Sequence, residues 1–366
     1  MQKIKDILTS LESLAPPSYQ ENYDNAGLIV GDKHAIVTGV LITLDVTEAV
    51  VQEAVSKKCN LIIAHHPIVF KGLKKLTGSN YVERTVLAAI KNDVAIYAIH
   101  TNLDHVLKGV NSKIAEKIGL KNIKILAPKK NILQKLVTFV PTENSESVLE
   151  ALFNAGAGEI GAYKNCSFST TGTGTFLPGE AANPAVGTIG KREDVRENRL
   201  EVIFPSHLGR KILTVLKAVH PYEEVAYYLQ ELENENQEVG AGMVGELEHD
   251  MQHEDFLQLL RSNMQLRVIR HTAPVTGPIR RVAVCGGAGS FLLPLAIGSG
   301  ADVFITADYK YHEFFDADQQ IMICDIGHYE SEVFTKDLLY DYLSGIFSNF
   351  ALCLSEINTN PVHYFL

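Results

Sequence analysis

Apolar residues along this chain fall in short runs separated by amphipathic stretches, the alternation expected of a layered α/β protein. The run GVLITLD (39–45) reads as a strand. It is followed by a helix from Thr47, a suitable N-cap, to about Lys58. Leu61–Ala64 reads as a short buried strand ending at His65-His66-Pro67. A Lys- and Gly-rich loop, a helix over about 81–91 and a strand Val94–Ile99 ending at His100-Thr101-Asn102-Leu103-Asp104 complete a βαβαβ unit.

The last part of the chain repeats this plan. A strand 281–285 enters the turn Gly286-Gly287-Ala288-Gly289, and a helix is expected over about 290–299. A strand Asp302–Thr306 ends at Ala307-Asp308-Tyr309-Lys310-Tyr311-His312, and a strand Ile321–Asp325 ends at Gly327-His328. The first two strands of each half are offset alike, from about 41 to 61 and from about 283 to 303. The expected core is therefore a duplicated βαβαβ unit. Its two parts, 1–129 and 237–366, are separated by an insertion at 130–236.

The insertion has a different rhythm. A strand Leu136–Val140 is followed by a helix Glu146–Ala155 and by two strands within 159–205. A helix Leu208–Val219 and a strand Val225–Leu232 come last. This order, β-α-β-β-α-β, is the ferredoxin-like α+β plan. The flanks APKKN (127–131) and ELENENQE (231–238) are expected as surface connections.

Composition narrows the class. The chain has 366 residues, 46% hydrophobic and 21% charged, enough for more than one buried core. A net charge of −10 makes nucleic acid an unfavourable partner. The small cluster Lys71, Lys74, Lys75 reads as a solvated loop. The first residues mix charge with helical spacing (Ile4, Ile7, Leu8, Leu11, Leu14), unlike a signal peptide, and no apolar run reaches the roughly 18 residues of a membrane span. Five scattered cysteines without a C-x-x-C fit core positions in a reducing cytoplasm.

The chemistry lies at strand ends, where parallel sheets bring distant side chains into one crevice. His328 and Glu332 stand four residues apart and share a face if a helix begins there. His65 and His66 diverge from a turn held by Pro67, and Asp104 offers two oxygens that can bridge. Three imidazoles and two carboxylates without thiolate suit Zn, Fe(II), Mn or Co in a site with open positions. Gly287 and Gly289 could cradle phosphate through backbone N–H groups, although the turn fails the dinucleotide pattern. Gly187-x-x-Gly190-Lys191 has the wrong spacing for a P-loop, and His220 in HPYEE reads as a turn residue.

At these residues the sequence resembles the bacterial GTP cyclohydrolase 1 type 2 homologues, the Nif3-like family. The matching stretches are NYDNAGLIVGD (22–32), LIIAHHPIVF (61–70), AIHTNLDH (98–105), TADYKYHE (306–313), DIGHYESE (325–332) and INTNPVHYF (357–365). The resemblance implies two divalent ions held by His65, His66, Asp104, His328 and Glu332. It also implies a toroidal homohexamer and an insertion related to PII and CutA-like proteins, a likeness carried by VHPYEEVAYYL (219–229). Tyr23 stands where many relatives have Trp. His100 and His312 are candidates for proton transfer, and Lys310 for contact with an anionic substrate. The expected activity is a metal-dependent hydrolase acting on a small molecule, GTP-like or another phosphate-containing compound. The competing expectation is a non-catalytic metal- or ligand-binding regulator.

Overall fold

A computed structural model describes residues 1–365. The chain divides into two units, Met1–Ala127 with Glu238–Leu366, and Pro128–Gln237.

The first unit begins with α1 (Ile4–Leu14), whose Ile4, Ile7, Leu8 and Leu11 are buried at helical spacing. A short strand β1 (Gly27–Val30) leads to β2 (Gly39–Thr43), α2 (Glu48–Ser56), β3 (Leu61–Ala64), α3 (Tyr81–Lys91) and β4 (Ala95–Ala98). Thr47 caps α2 through the Val50 amide, and Asn80 caps α3 through the Glu83 amide. A single turn α4 (Thr101–Asp104), then α5 (Val110–Ile118) and β5 (Lys121–Lys129), bring the chain to the insertion.

The second unit comprises β6 (Leu133–Pro141), α6 (Ser145–Asn154), β7 (Phe168–Phe176), β8 (Glu193–Pro205), α7 (Gly209–Val219) and β9 (Tyr227–Leu232). Its sheet order is β7-β8-β6-β9, with every neighbouring pair antiparallel. Leu136, Val148, Leu152, Leu200, Phe204, Ile212 and Leu216 form its core.

The chain returns through β10 (Asn236–Met251), α8 (His253–Asn263) and the two-residue strand β11 (Arg270–His271). It continues through β12 (Ile279–Ala288), α9 (Leu293–Gly298), β13 (Val303–Ala307), β14 (Met322–Asp325), α10 (His328–Glu332), α11 (Thr335–Ser344) and β15 (Ala351–Leu354). Both flanking stretches expected as surface connections are largely strand. β5 runs through Lys129, and β10 begins at Asn236. Their charged residues misled the reading because a long ladder end needs no apolar face.

The first unit holds two sheets, ordered β1-β4-β3-β2-β15 and β11-β14-β13-β12-β10-β5. Four strands run parallel in the first (β15, β2, β3, β4) and three in the second (β12, β13, β14), each with an antiparallel strand at the far edge, β1 beside β4 and β11 beside β14. The registers correspond: Val40 lies opposite Leu61, and Val282 opposite Val303. The central strands are buried throughout, as parallel strands covered on both faces must be. Each wholly buried Ile or Leu there contributes about 1.5–3 kcal/mol.

Two departures from the expected elements matter for the site. The helix expected over 290–299 is a 3-10 turn Ser290–Leu292 followed by the short α9. The crossover from β13 to β14 is a 3-10 segment Tyr311–Ala317, where the first half has the full helix α3.

Candidate metal centre

The carboxyl ends of β3, β4 and β14 converge. His65 and His66 follow β3 directly, and their amides donate to Thr43 O and Leu44 O at the end of β2. His100 caps α4, which Asn102 ties down by accepting from the His100 amide and donating to Ala15 O. That turn carries Asp104 inward. Gly327, with φ +91, allows the abrupt change from β14 into α10. His328 and Glu332 then face each other across one helical turn, Nε2 to Oε2 3.1 Å.

Four histidines are fixed through Nδ1. His65 Nδ1 donates to Ile99 O at 2.8 Å, which leaves Nε2 as the ring's lone-pair nitrogen. His66 Nδ1 lies 2.7 Å from Asp45, His100 Nδ1 2.8 Å from Asp24 and His328 Nδ1 2.7 Å from Asp308. Such outer partners orient imidazoles toward metal ions. His66 Nε2 meets Glu332 Oε2 at 2.9 Å. His65 Nε2 lies 3.6 Å from Asp104 Oδ1 and 3.9 Å from Glu332 Oε1. His65 Nε2 and Asp104 Oδ1 are buried with no hydrogen-bond partner. A buried lone pair and a buried carboxylate oxygen facing each other without a donor are what a cation would satisfy.

Three overlapping groups have ligand atoms within 4.8 Å of one another: His66, His328, Glu332; His65, Asp104, Glu332; and His65, His66, His100. Each could hold a metal ion. Glu332 is the carboxylate common to the first two. Its side chain is 3% exposed, and Asp104 belongs to the second group alone.

The electrostatics follow the packing. Burial opposes charge on His66, but hydrogen bonds to Asp45 and Glu332 raise its pKa to about 10. His328, also against burial, is raised to about 9 by Glu332 and Asp308. Burial lowers His65. Burial and the neighbouring Glu332 push Asp104 well above the ordinary carboxylate range. Glu332 is held well below it, despite burial, by His328, His65 and His66.

The remaining predicted site residues lie elsewhere. Lys310 is exposed, with Nζ 3.7 Å from Glu313. His312 is exposed beside the Tyr311 ring. Neither lines the cavity over the histidines. The strand end they follow instead contributes Asp308. In the glycine turn the first two amides are already engaged. The Gly286 amide donates to Asn111 Oδ1 and the Gly287 amide to Ser331 Oγ. Gly287 has φ +62, and a Cβ there would lie 2.5 Å from Glu332 Oε1, so its role is to make room for that carboxylate. A Cβ at Gly289 would crowd Thr306.

Sequence reasoning passed over the anchoring carboxylates. Asp45 and Asp308 each follow a buried core strand, β2 in the first half and β13 in the second, and an acidic residue at a strand end was the available signal. Asp24 comes from a loop, where no strand end marked it, and its signal was its place in the family-like stretch 22–32. It accepts from the Thr101 amide and hydroxyl as well as His100, and despite burial these bonds lower its pKa to about 2. Thr359, from the segment after β15, donates to Asp45 at 2.6 Å.

Comparison with known proteins identifies the family. The family model Duf34/NIF3 (NGG1p interacting factor 3) matches residues 2–361. The chain is 36% identical to a Bacillus subtilis (strain 168) protein named GTP cyclohydrolase 1 type 2 homolog, over 98% of this chain and 97% of that one. It is 37% identical to a protein of the same name from Halalkalibacterium halodurans, over 97% of each. Its fold is similar to that of a Bacillus cereus protein related to NIF3, with TM-score 0.87, 37% identity, and 100% of this chain and 99% of that one covered. Staphylococcus aureus protein SA1388 is similar at TM-score 0.79 and 32% identity, over 100% and 99%. By sequence and by fold, this chain belongs to the Duf34/NIF3 family.

Proposed function

We propose that the chain holds two divalent ions, of the Zn, Fe or Mn type, and uses them to hydrolyse a small molecule. His65, Asp104 and Glu332 would hold one ion, and His66, His328 and Glu332 the other. The observation that carries this reading is the pair of buried, partnerless atoms, His65 Nε2 and Asp104 Oδ1, set among imidazoles already fixed through Nδ1.

When bound, such ions act as Lewis acids and lower the pKa of water toward neutrality. The chain's own residues supply the rest. In hydrolysis of a C–N bond, water oxygen bonds to carbon, the C–N bond breaks and the leaving nitrogen takes a proton. His100, anchored by Asp24 at Nδ1 and packed beside His65 and His66, is placed to carry that proton on Nε2. Assembly as a toroidal homohexamer belongs to the same proposal, and light scattering of the purified protein would test it.

The decisive experiment measures metal content in the purified protein and in His66→Ala. Zn-, Mn- and Fe(II)-loaded forms are then assayed against nucleotides, cyclic amides and phosphoesters. The proposal expects about two ions per chain, fewer in the variant, and turnover lost with the metal. Absence of metal from the unaltered protein under all loading conditions overturns the site. Full loading without turnover of any class favours a metal-handling or regulatory role.

A further inference from the structure

A cavity of about 1050 Å³ opens over the histidines. Its charged lining side chains include Glu21, Asp45, Asp104 and Glu332, and no Lys or Arg is among the described residues that line it. Its wall also carries four aromatic rings that are largely exposed: Tyr23 at 70%, Phe70 at 49%, Tyr81 at 62% and Phe291 at 67%. Scattered exposed aromatics need no explanation, but four around one cavity make an apolar, π-rich wall. The Phe70 ring stands edge-on to His100, with centroids 5.5 Å apart. This joins the aromatic wall to the metal-binding group.

Several polar side chains of the wall are already engaged. Thr101 accepts from the Glu21 amide and donates to Asp24. Asn111 donates to Asp104 O and accepts from the Gly286 amide. Thr47 caps α2, and Thr359 donates to Asp45. The wall offers no Lys or Arg to pair with a polyphosphate chain, so grip on a ligand rests mainly on the ring faces and the metal centre.

Resting on the metal-hydrolase reading above, we infer that the substrate is a flat, uncharged, nitrogen-containing heterocycle, stacked on Phe70 and Tyr81 with a carbonyl or amide edge toward the histidines. Phosphate groups on such a molecule receive no grip from this chain. The class favours C–N over P–O hydrolysis.

The test uses Zn-loaded full-length protein and isothermal titration with guanosine, inosine, adenosine and uridine, each beside its Mg-capped 5′-triphosphate. For the bases that bind, nucleoside and triphosphate should agree within about threefold. Replacing both rings, as in Phe70→Ala with Tyr81→Ala, should weaken binding about tenfold or more, the loss expected of one base–aromatic stack. Phe70→Tyr with Tyr81→Phe should restore it. Metal content, measured in parallel, should stay constant in both double variants. Triphosphates binding tenfold more tightly than nucleosides would overturn the inference. So would ring removal without effect, or no nucleoside binding to fully loaded protein. Failure of the unaltered protein to hold metal would instead bring down the underlying metal reading.

Discussion

The two halves of the duplicated core place a His-x-x-x-carboxylate after corresponding strands, His100/Asp104 after β4 and His328/Glu332 after β14. They use the pair differently. In the second half the two side chains meet directly, at 3.1 Å, and Asp308 holds the histidine from behind. In the first half His100 is drawn to Asp24, Asp104 turns toward His65, and the preceding strand adds two more imidazoles. One half thus became the donor-rich wall, and the other supplies the carboxylate on which both groups depend. Duplication gave two similar scaffolds, and divergence of a few residues at strand ends made them complementary.

The sharpest way to break this comparison is Glu332→Ala. It removes the carboxylate common to both groups and should abolish binding of both ions, read as metal per chain after dialysis. Asp104→Ala should be milder, leaving one ion, because only the His65 group includes it. Equal losses in the two variants would show that the halves contribute alike.

The anchors should differ next. Asp45→Asn should weaken metal affinity about 10–100-fold, measured by competition with a chromophoric chelator. Asp308→Asn should fall near the low end of that range, because His328 and Asp308 are 40% and 51% exposed and water can replace the lost bond.

The smallest effect concerns the crossovers. α3 begins with a loop gathered by Glu83, whose carboxylate accepts from the amides and hydroxyls of Thr77 and Ser79 and from Asn80 Nδ2. These bonds lower its pKa to about 2 from an ordinary value of 4.5. The stabilisation is present above the ordinary value and is lost as pH falls through the folded one. Glu83→Gln should therefore flatten the acid limb of a stability profile. The second-half crossover, a 3-10 segment, has no such cluster among the described residues.

Much of this organisation was legible in the chain. Buried parallel strands are continuous apolar runs, so β2, β3, β13 and β14 stood out, and their polar terminations marked the site. The corresponding register of the halves followed from strand spacing alone. What escaped has physical reasons. β1 and β11 are short edge strands whose residues need bury only one face. β15 pairs with β2 from the far end of the sequence, Leu352 opposite Val40, a contact that no local pattern announces. Lys310 and His312 looked functional because they follow a strand end. The left-handed turn at Asp308, φ +59, brings that aspartate to His328 and carries the chain on into an exposed 3-10 segment.

Thr359 has a consequence for the order of events in the cell. Its hydroxyl steadies Asp45, and Asp45 steadies His66, so a candidate ligand made early in synthesis is set by a residue made late. A nascent chain stopped anywhere before Thr359 presents the paired histidines without their finished support, and one stopped before Glu332 lacks the shared carboxylate altogether. On the metal reading proposed above, tight capture would wait for these later residues.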